Sequence, residues 1–175
     1  MKDILLVSEA TVKARTNIDE NVSGKLLLPA IRSAQEIGLR QLLGDALLDK
    51  IKELAASNNL EGYYDMLCKQ AQDYLVYQTV ADICLLTAVK IGNAGLEQVS
   101  DEHLAPVSIS DSYSLQDYYQ KKADYFASRL QSWIINNSEH YPELSKNKCR
   151  QIRANLTSSA SSGLWLGGLR GKKLI

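Results

Sequence analysis

Apolar residues recur at intervals of three and four through most of this chain, the spacing of one face of an α-helix. In residues 45–58 (DALLDKIKELAASN), Leu47, Leu48, Ile51 and Leu54 form one stripe. Asp45 stands ahead of them as the expected N-cap, and Asn58-Asn59 ends the run. Upstream, residues 24–44 (GKLLLPAIRSAQEIGLRQLLG) align Leu27, Ile31, Ala34 and Ile37 or Gly38. Pro29 belongs in a first turn or at a kink, because its ring removes a donor and clashes one turn back. Gly38 and Gly44 are expected to break this segment, and Asn21 or Ser23 to cap it.

The longest element spans residues 63–91 (YYDMLCKQAQDYLVYQTVADICLLTAVKI), where Leu67, Ala71, Tyr74, Leu75, Gln78, Ala81 and Leu85 share a face. Its second half, with Val80, Ile83, Cys84, Leu85, Leu86, Ala88 and Val89, is apolar almost all round, so this helix is expected at the centre of the core. Gly92-Asn93 closes it. Residues 93–113 lack a helical period and hold Pro106, which predicts a long irregular loop with a short extended piece near residues 96–99. A second long helix then opens at Ser114, whose hydroxyl forms a capping box with Asp117. Leu115, Tyr119, Lys122 or Ala123, Phe126, Leu130, Trp133 and Ile134 mark its buried face, and Asn136-Asn137 and Tyr141-Pro142 end it. The fold class is all-α: a compact helical bundle with two long helices, a long irregular loop and an extended C-terminal tail, with no internal repeats.

Charge changes the picture. The chain of 175 residues has 20 basic and 20 acidic residues and a formal net charge of zero. Yet residues 146–175 carry Lys146, Lys148, Arg150, Arg153, Arg170, Lys172 and Lys173 and no acid, leaving residues 1–145 with 13 basic against 20 acidic, a net charge of −7. The chain therefore divides into an acidic helical body, residues 1–145, and a basic, Ser/Gly-rich arm, residues 146–175. Such asymmetry points the arm at nucleic acid or at an acidic protein surface.

At 45% hydrophobic the chain has material for one core. No secretory signal and no membrane span are expected. Three cysteines, Cys68, Cys84 and Cys149, without CxxC spacing are read as reduced thiols, with Cys68 and Cys84 as small core residues.

Candidate chemistry is sparse. His103 and His140 are 37 residues apart, with no partner at metal-ligand spacing, and read as surface histidines. No GxSxG, GxGxxG or GxxxxGK[ST] stands in a usable context. Residues 17–24 (NIDENVSG) have the alternating oxygens of a calcium loop with Gly24 at its sixth place. The twelfth place, however, is Ala30 instead of a bidentate glutamate, so the metal reading fails. No cofactor, no metal and no enzymatic activity are expected.

Residues 17–54 (NIDENVSGKLLLPAIRSAQEIGLRQLLGDALLDKIKEL), residues 91–108 (IGNAGLEQVSDEHLAPVS) and residues 114–134 (SLQDYYQKKADYFASRLQSWI) together resemble the head-to-tail connector, or adaptor, proteins of tailed phages, as encoded by phages and prophages of Bacteroides-like hosts. The likeness runs over roughly residues 4–142 and rests on packing patterns. It implies a helical structural virion protein that forms a homo-oligomeric ring of twelve copies under the portal protein. Such a ring lines the DNA exit channel without sequence-specific contact, seats the next tail component, and is assembled in the host cytoplasm.

The arm acquires a role in that setting. Its end, SSASSGLWLGGLRGKKLI, has no periodicity to bury, yet it holds Leu164, Trp165, Leu166, Leu169, Leu174 and Ile175. Burying these on a partner is worth about as much as ordering the arm costs, so one arm binds weakly and a ring of arms multiplies the small surplus. The expected partner-binding set is these six anchors, with Arg170, Lys172 and Lys173 meeting acidic rims. The alternative is a non-enzymatic helical protein that binds nucleic acid through the same basic arm.

Overall fold

The structure is a computed structural model that describes residues 4–92, 95–98, 108–145 and 154. Six α-helices dominate it: α1 (Glu9–Arg15), α2 (Gly24–Ser33), α3 (Arg40–Leu43), α4 (Asp45–Ala56), α5 (Gly62–Ala88) and α6 (Ile109–Asn136). A π-helical stretch, Ala34–Leu39, joins α2 to α3, and 3₁₀ turns at Ser138–His140 and Pro142–Ser145 follow α6. Two short strands, β1 (Val89–Gly92) and β2 (Gly95–Gln98), pair antiparallel with Val89 opposite Gln98. The all-α class holds, with this ribbon as the one addition among the described residues.

The long helices α5 and α6 form the centre. Contacts join Gln78 to Gln120, Tyr77 to Phe126 and Tyr63 to Tyr141, so the two run antiparallel. α1, α2 and the π-helical stretch lie against α5, while α4 receives the turn Pro142–Ser145. The core draws Leu27, Ile31 and Leu39 from the amino-terminal helices, Leu47, Leu48 and Ile51 from α4, Leu67, Ala71, Leu75 and Ala81 from α5, and Ala123, Leu130 and Ile134 from α6.

Several boundaries differ from the sequence reading. Residues 9–15 form a helix that periodicity did not reveal, opened by Ser8 Oγ accepting from the Thr11 amide at 3.2 Å. It is too short to show a stripe, with Val12 its one fully buried residue. Ser23 caps α2 as expected, accepting from Lys25 N at 3.2 Å. Asp45 is not an N-cap: Gly44, at φ 76°, holds that place, and the Asp45 carboxylate takes the Arg40 guanidinium at 2.5 Å. Gly38 does not break its segment, because the chain there widens into the π turn and continues to Gly44. That turn adds a residue to the helical period, which leaves Ile37 exposed instead of buried.

Helix α6 starts at Ile109, not Ser114, since Ser108 closes the cap with Asp111. Its Oγ accepts the Asp111 amide at 3.0 Å and bonds the carboxylate at 2.7 Å. Leu115 is consequently on the exposed side. Helix α5 stops at Ala88, and the β-branched pair Val89 and Ile91 enters the ribbon. The extended piece near residues 96–99 is β2, and Val99 is outside the described residues.

Two side-chain amides hold the first described segment against the bundle. Gln35, fully buried in the π stretch, accepts from Leu6 N at 2.8 Å and donates to Ile4 O at 2.9 Å. Gln72 donates to Leu6 O at 3.0 Å. Residues 17–24, weighed as a calcium loop, are organised by a cation of the chain itself: Lys13 Nζ donates to Glu20 O at 2.6 Å and Val22 O at 2.9 Å.

Gly38 faces the Tyr74 hydroxyl so closely that a Cβ there would lie 2.1 Å from the oxygen. Gly38→Ala should therefore destabilise by about 1–3 kcal/mol despite alanine's better helix propensity. Tyr74→Phe should recover most of that loss in the double variant; urea unfolding of the four proteins checks it.

Candidate interaction site

The seam between α5 and α6 carries a polar ladder inside an apolar interface. Gln78 Nε2 donates to Gln120 Oε1 at 3.3 Å, and Gln120 Nε2 donates to Gln78 Oε1 at 3.2 Å. Each amide also donates to the aspartate one turn along its own helix: Gln78 to Asp82 at 3.0 Å and Gln120 to Asp124 at 2.9 Å. Both helices spell Q-x-x-A-D here, and the alanines, Ala81 and Ala123, are fully buried, so the helices approach closely enough for the amides to pair. Burial pushes the Asp82 carboxyl up, and the Gln78 amide pulls partly against that.

Beside the ladder lies a cleft of about 200 Å³, bounded by Gly38, Gln41 and Leu42 on one side and by Tyr74, Gln78, Gln120, Asp124 and Ser128 on the helices. The phenol of Tyr74 forms part of its wall and is held well above its ordinary range, first by burial and then by the negative charges of Asp82 and Asp124.

The other flank of α6 is aromatic. Tyr77 of α5 stacks on Phe126 with ring centres 5.1 Å apart, and Lys122 Nζ sits 4.3 Å from the centre of the Tyr118 ring. Around α6, Ile109, Tyr113, Leu115, Tyr118, Tyr125 and Ile135 are 46–64% exposed, and Tyr118 and Tyr125, two turns apart, share the side that faces away from the core. Six large apolar side chains on one helix exceed the scattered exposure ordinary for a surface.

A charge cluster fastens α4 to the π turn. Arg40 bridges Glu36 at 2.6 Å and Asp45 at 2.5 Å, and Lys52 also pairs with Glu36. Burial raises the Glu36 carboxyl, but hydrogen bonds from Lys52, Arg40 and Gln35 outweigh it and leave its pKa at about 2. At the far end, Tyr141 donates to Tyr63 O at 2.9 Å, Trp133 Nε1 donates to Tyr141 at 3.1 Å, and Tyr64 donates to Glu143 at 2.9 Å. His140 stacks at the surface on Tyr63, with ring centres 3.6 Å apart and its side chain 35% exposed. Cys68 and Cys84 are buried, and burial pushes the Cys68 thiol up to about 11.

The anchors read from the sequence, Leu164, Trp165, Leu166, Leu169, Arg170, Lys172, Lys173, Leu174 and Ile175, lie outside the described residues, as do His103 and Cys149. The ladder and the cleft were not anticipated. The repeated Q-x-x-A-D pattern was the available signal, and only pairing of the two helices gives it meaning. Among the described residues no group of three or more His, Cys, Asp or Glu side chains is placed to hold a metal, and no helix is long and apolar enough to cross a membrane.

A family model, described as a family of unknown function (DUF6712), matches residues 39–154, more than half of the chain. The chain belongs to this family. The DUF6712 match takes in α3 to α6, hence the whole α5–α6 seam, and leaves α1 and α2 outside it. Comparison with curated proteins and with solved structures finds no match.

Two outcomes test this geometry. Because Glu36 titrates lower in the fold than in the unfolded chain, its stabilisation, on the order of 3 kcal/mol, is complete above about pH 4.5 and is lost as pH falls towards 2. Denaturant titrations between pH 6 and 2 should show that loss in the parent and a flatter profile in Glu36→Gln. Gln120→Leu should cost about 0.5–1.5 kcal/mol by removing the reciprocal amide pair, since Gln78 keeps its bond to Asp82, and a double-mutant cycle with Gln78→Leu should register the coupling.

Proposed function

We propose that this protein is a structural subunit of the head-to-tail joint of a tailed phage. In this reading it assembles as a ring of twelve copies beneath the portal protein, surrounds the passing DNA and seats the next tail component. The observation that carries the reading is the pair Tyr118 and Tyr125 of α6, exposed two turns apart on one side of the helix and facing away from the packed Tyr119, Ala123, Leu130 and Ile134. A neighbouring copy in a ring would cover such a side, and tyrosine is favoured at such contacts because it brings large area at little rotamer cost.

Support also comes from the resemblance carried by residues 17–54, 91–108 and 114–134. Charge agrees as well: residues 1–145 have a net charge of −7, which suits a channel body that lets DNA slide instead of gripping it. The chemistry of the chain is then mechanical. The α5–α6 pair gives a stiff strut, the tyrosine-lined side makes the lateral contact, and the basic arm with Trp165 and its leucine neighbours reaches the portal.

Native mass spectrometry of the protein alone and mixed with its portal tests this directly. A ring-sized species is expected, and Tyr118→Asp with Tyr125→Asp should weaken ring formation by roughly tenfold or more, as for loss of interface anchors. Deleting residues 158–175 should leave a folded body that no longer joins the portal. A protein that stays monomeric in every mixture, or a truncation that assembles normally, overturns the reading.

A further inference from the structure

Helix α6 has two unlike flanks, one on each side of its buried face. On the first, Tyr118, Lys122, Tyr125 and Arg129 follow one another at intervals of four, three and four. On the second, Asp117, Gln120, Asp124 and Ser128 follow at three, four and four, and the last three line the cleft. Arg129 lies five residues beyond Asp124, which turns the two side chains about 140° apart around the helix. Of the three cations of α6, Lys121 pairs with Asp117 at 2.6 Å and Lys122 sits over the Tyr118 ring. Arg129 is exposed and forms no ion pair or hydrogen bond among the described residues.

The cleft flank presents oxygen. Both N–H groups of the Gln78 amide are taken, by Asp82 and by Gln120, and both of Gln120 by Gln78 and Asp124. The Ser128 hydroxyl donates to the Asp124 carbonyl at 3.0 Å. These groups still offer the second lone pairs of two amide oxygens and the Asp124 carboxylate, and among the described residues no cation lines the cleft. A positively charged group that only donates fits such a rim. A guanidinium, with five N–H donors in a planar fork, fits it better than an ammonium.

We propose that Arg129 of one copy enters the glutamine-lined cleft of the next and binds its Asp124 carboxylate and ladder oxygens. The flank of Tyr118 and Tyr125 on each subunit then packs against the cleft flank of its neighbour. This rests on the ring reading and gives the ring a direction: two different surfaces meet, as a closed cyclic ring requires and a two-fold dimer does not. Height agrees when α6 runs along the ring axis. Cyclic symmetry keeps the copies level, and Arg129 falls within residues 120–131, the stretch that α6 contributes to the cleft, so it faces the neighbouring cleft instead of passing above or below it.

Two charge reversals in the full chain test it, read by native mass spectrometry in the mixture that gives the parent ring. Arg129→Glu and Asp124→Arg should each lower the ring-sized species about tenfold or more, because each sets like charges face to face at every contact. Mixed in equal amounts, the two variants should regain the ring with copies alternating, since every contact then joins opposite charges. Circular dichroism confirms that each variant is folded. Arg129 is exposed, so its reversal leaves the fold intact and carries the test alone if Asp124→Arg disturbs the ladder. Rings that form at the parent's yield with Arg129 reversed, or two folded variants that do not reassemble when mixed, overturn this pairing and leave the ring reading standing. A parent that stays monomeric in every mixture overturns both.

Discussion

The close antiparallel contact of α5 and α6 is the constraint on which the other features rest. It brings two long helices together along a seam of fully buried Leu67, Leu75, Leu130 and Ile134, each worth about 1.5–3 kcal/mol in apolar burial. Ala81 and Ala123, also fully buried, remove the bulk that would hold the backbones apart. Only at that separation can the amides of Gln78 and Gln120 pair reciprocally. Half-buried and each also bonded to an aspartate of its own helix, such a pair adds little net stability, but a slip of one turn would break its two cross-helix bonds.

The amino-terminal helices depend on the same seam. Gln35 and Gln72 hold residues 4–6, and Tyr119 of α6 donates to Asn17, so the loop after α1 is tied to the strut as well as to its own Lys13. The π turn serves this arrangement. It sets Gln35 towards the first segment and Gly38 against Tyr74, at the expense of putting Ile37 into solvent. Thus one irregular turn positions a buried amide, shapes a cleft and shifts the hydrophobic stripe.

The proposed ring function rests on what the seam leaves uncovered. Tyr119, Ala123, Leu130 and Ile134 of α6 are packed, while Tyr118 and Tyr125 stay exposed, with Lys122 held over the Tyr118 ring. The thiols are shielded: burial moves Cys68 to about 11, far from thiolate at neutral pH.

The sequence by itself determined the helical class, the two long helices, the stripes of α4 and α5, the Ser23 cap, the burial of Cys68 and Cys84, and the division of charge between body and arm. These are local or periodic properties, written within one or two turns of chain. It misplaced what depends on neighbours. Asp45 as a cap lost to an ion pair with Arg40, Gly38 as a breaker to a π turn, and Ser114 as a start to the earlier Ser108. The glutamine ladder and the Tyr74 cleft were decided by tertiary structure alone, since each joins residues 36 or more apart in sequence, and no local pattern can state which helices will meet.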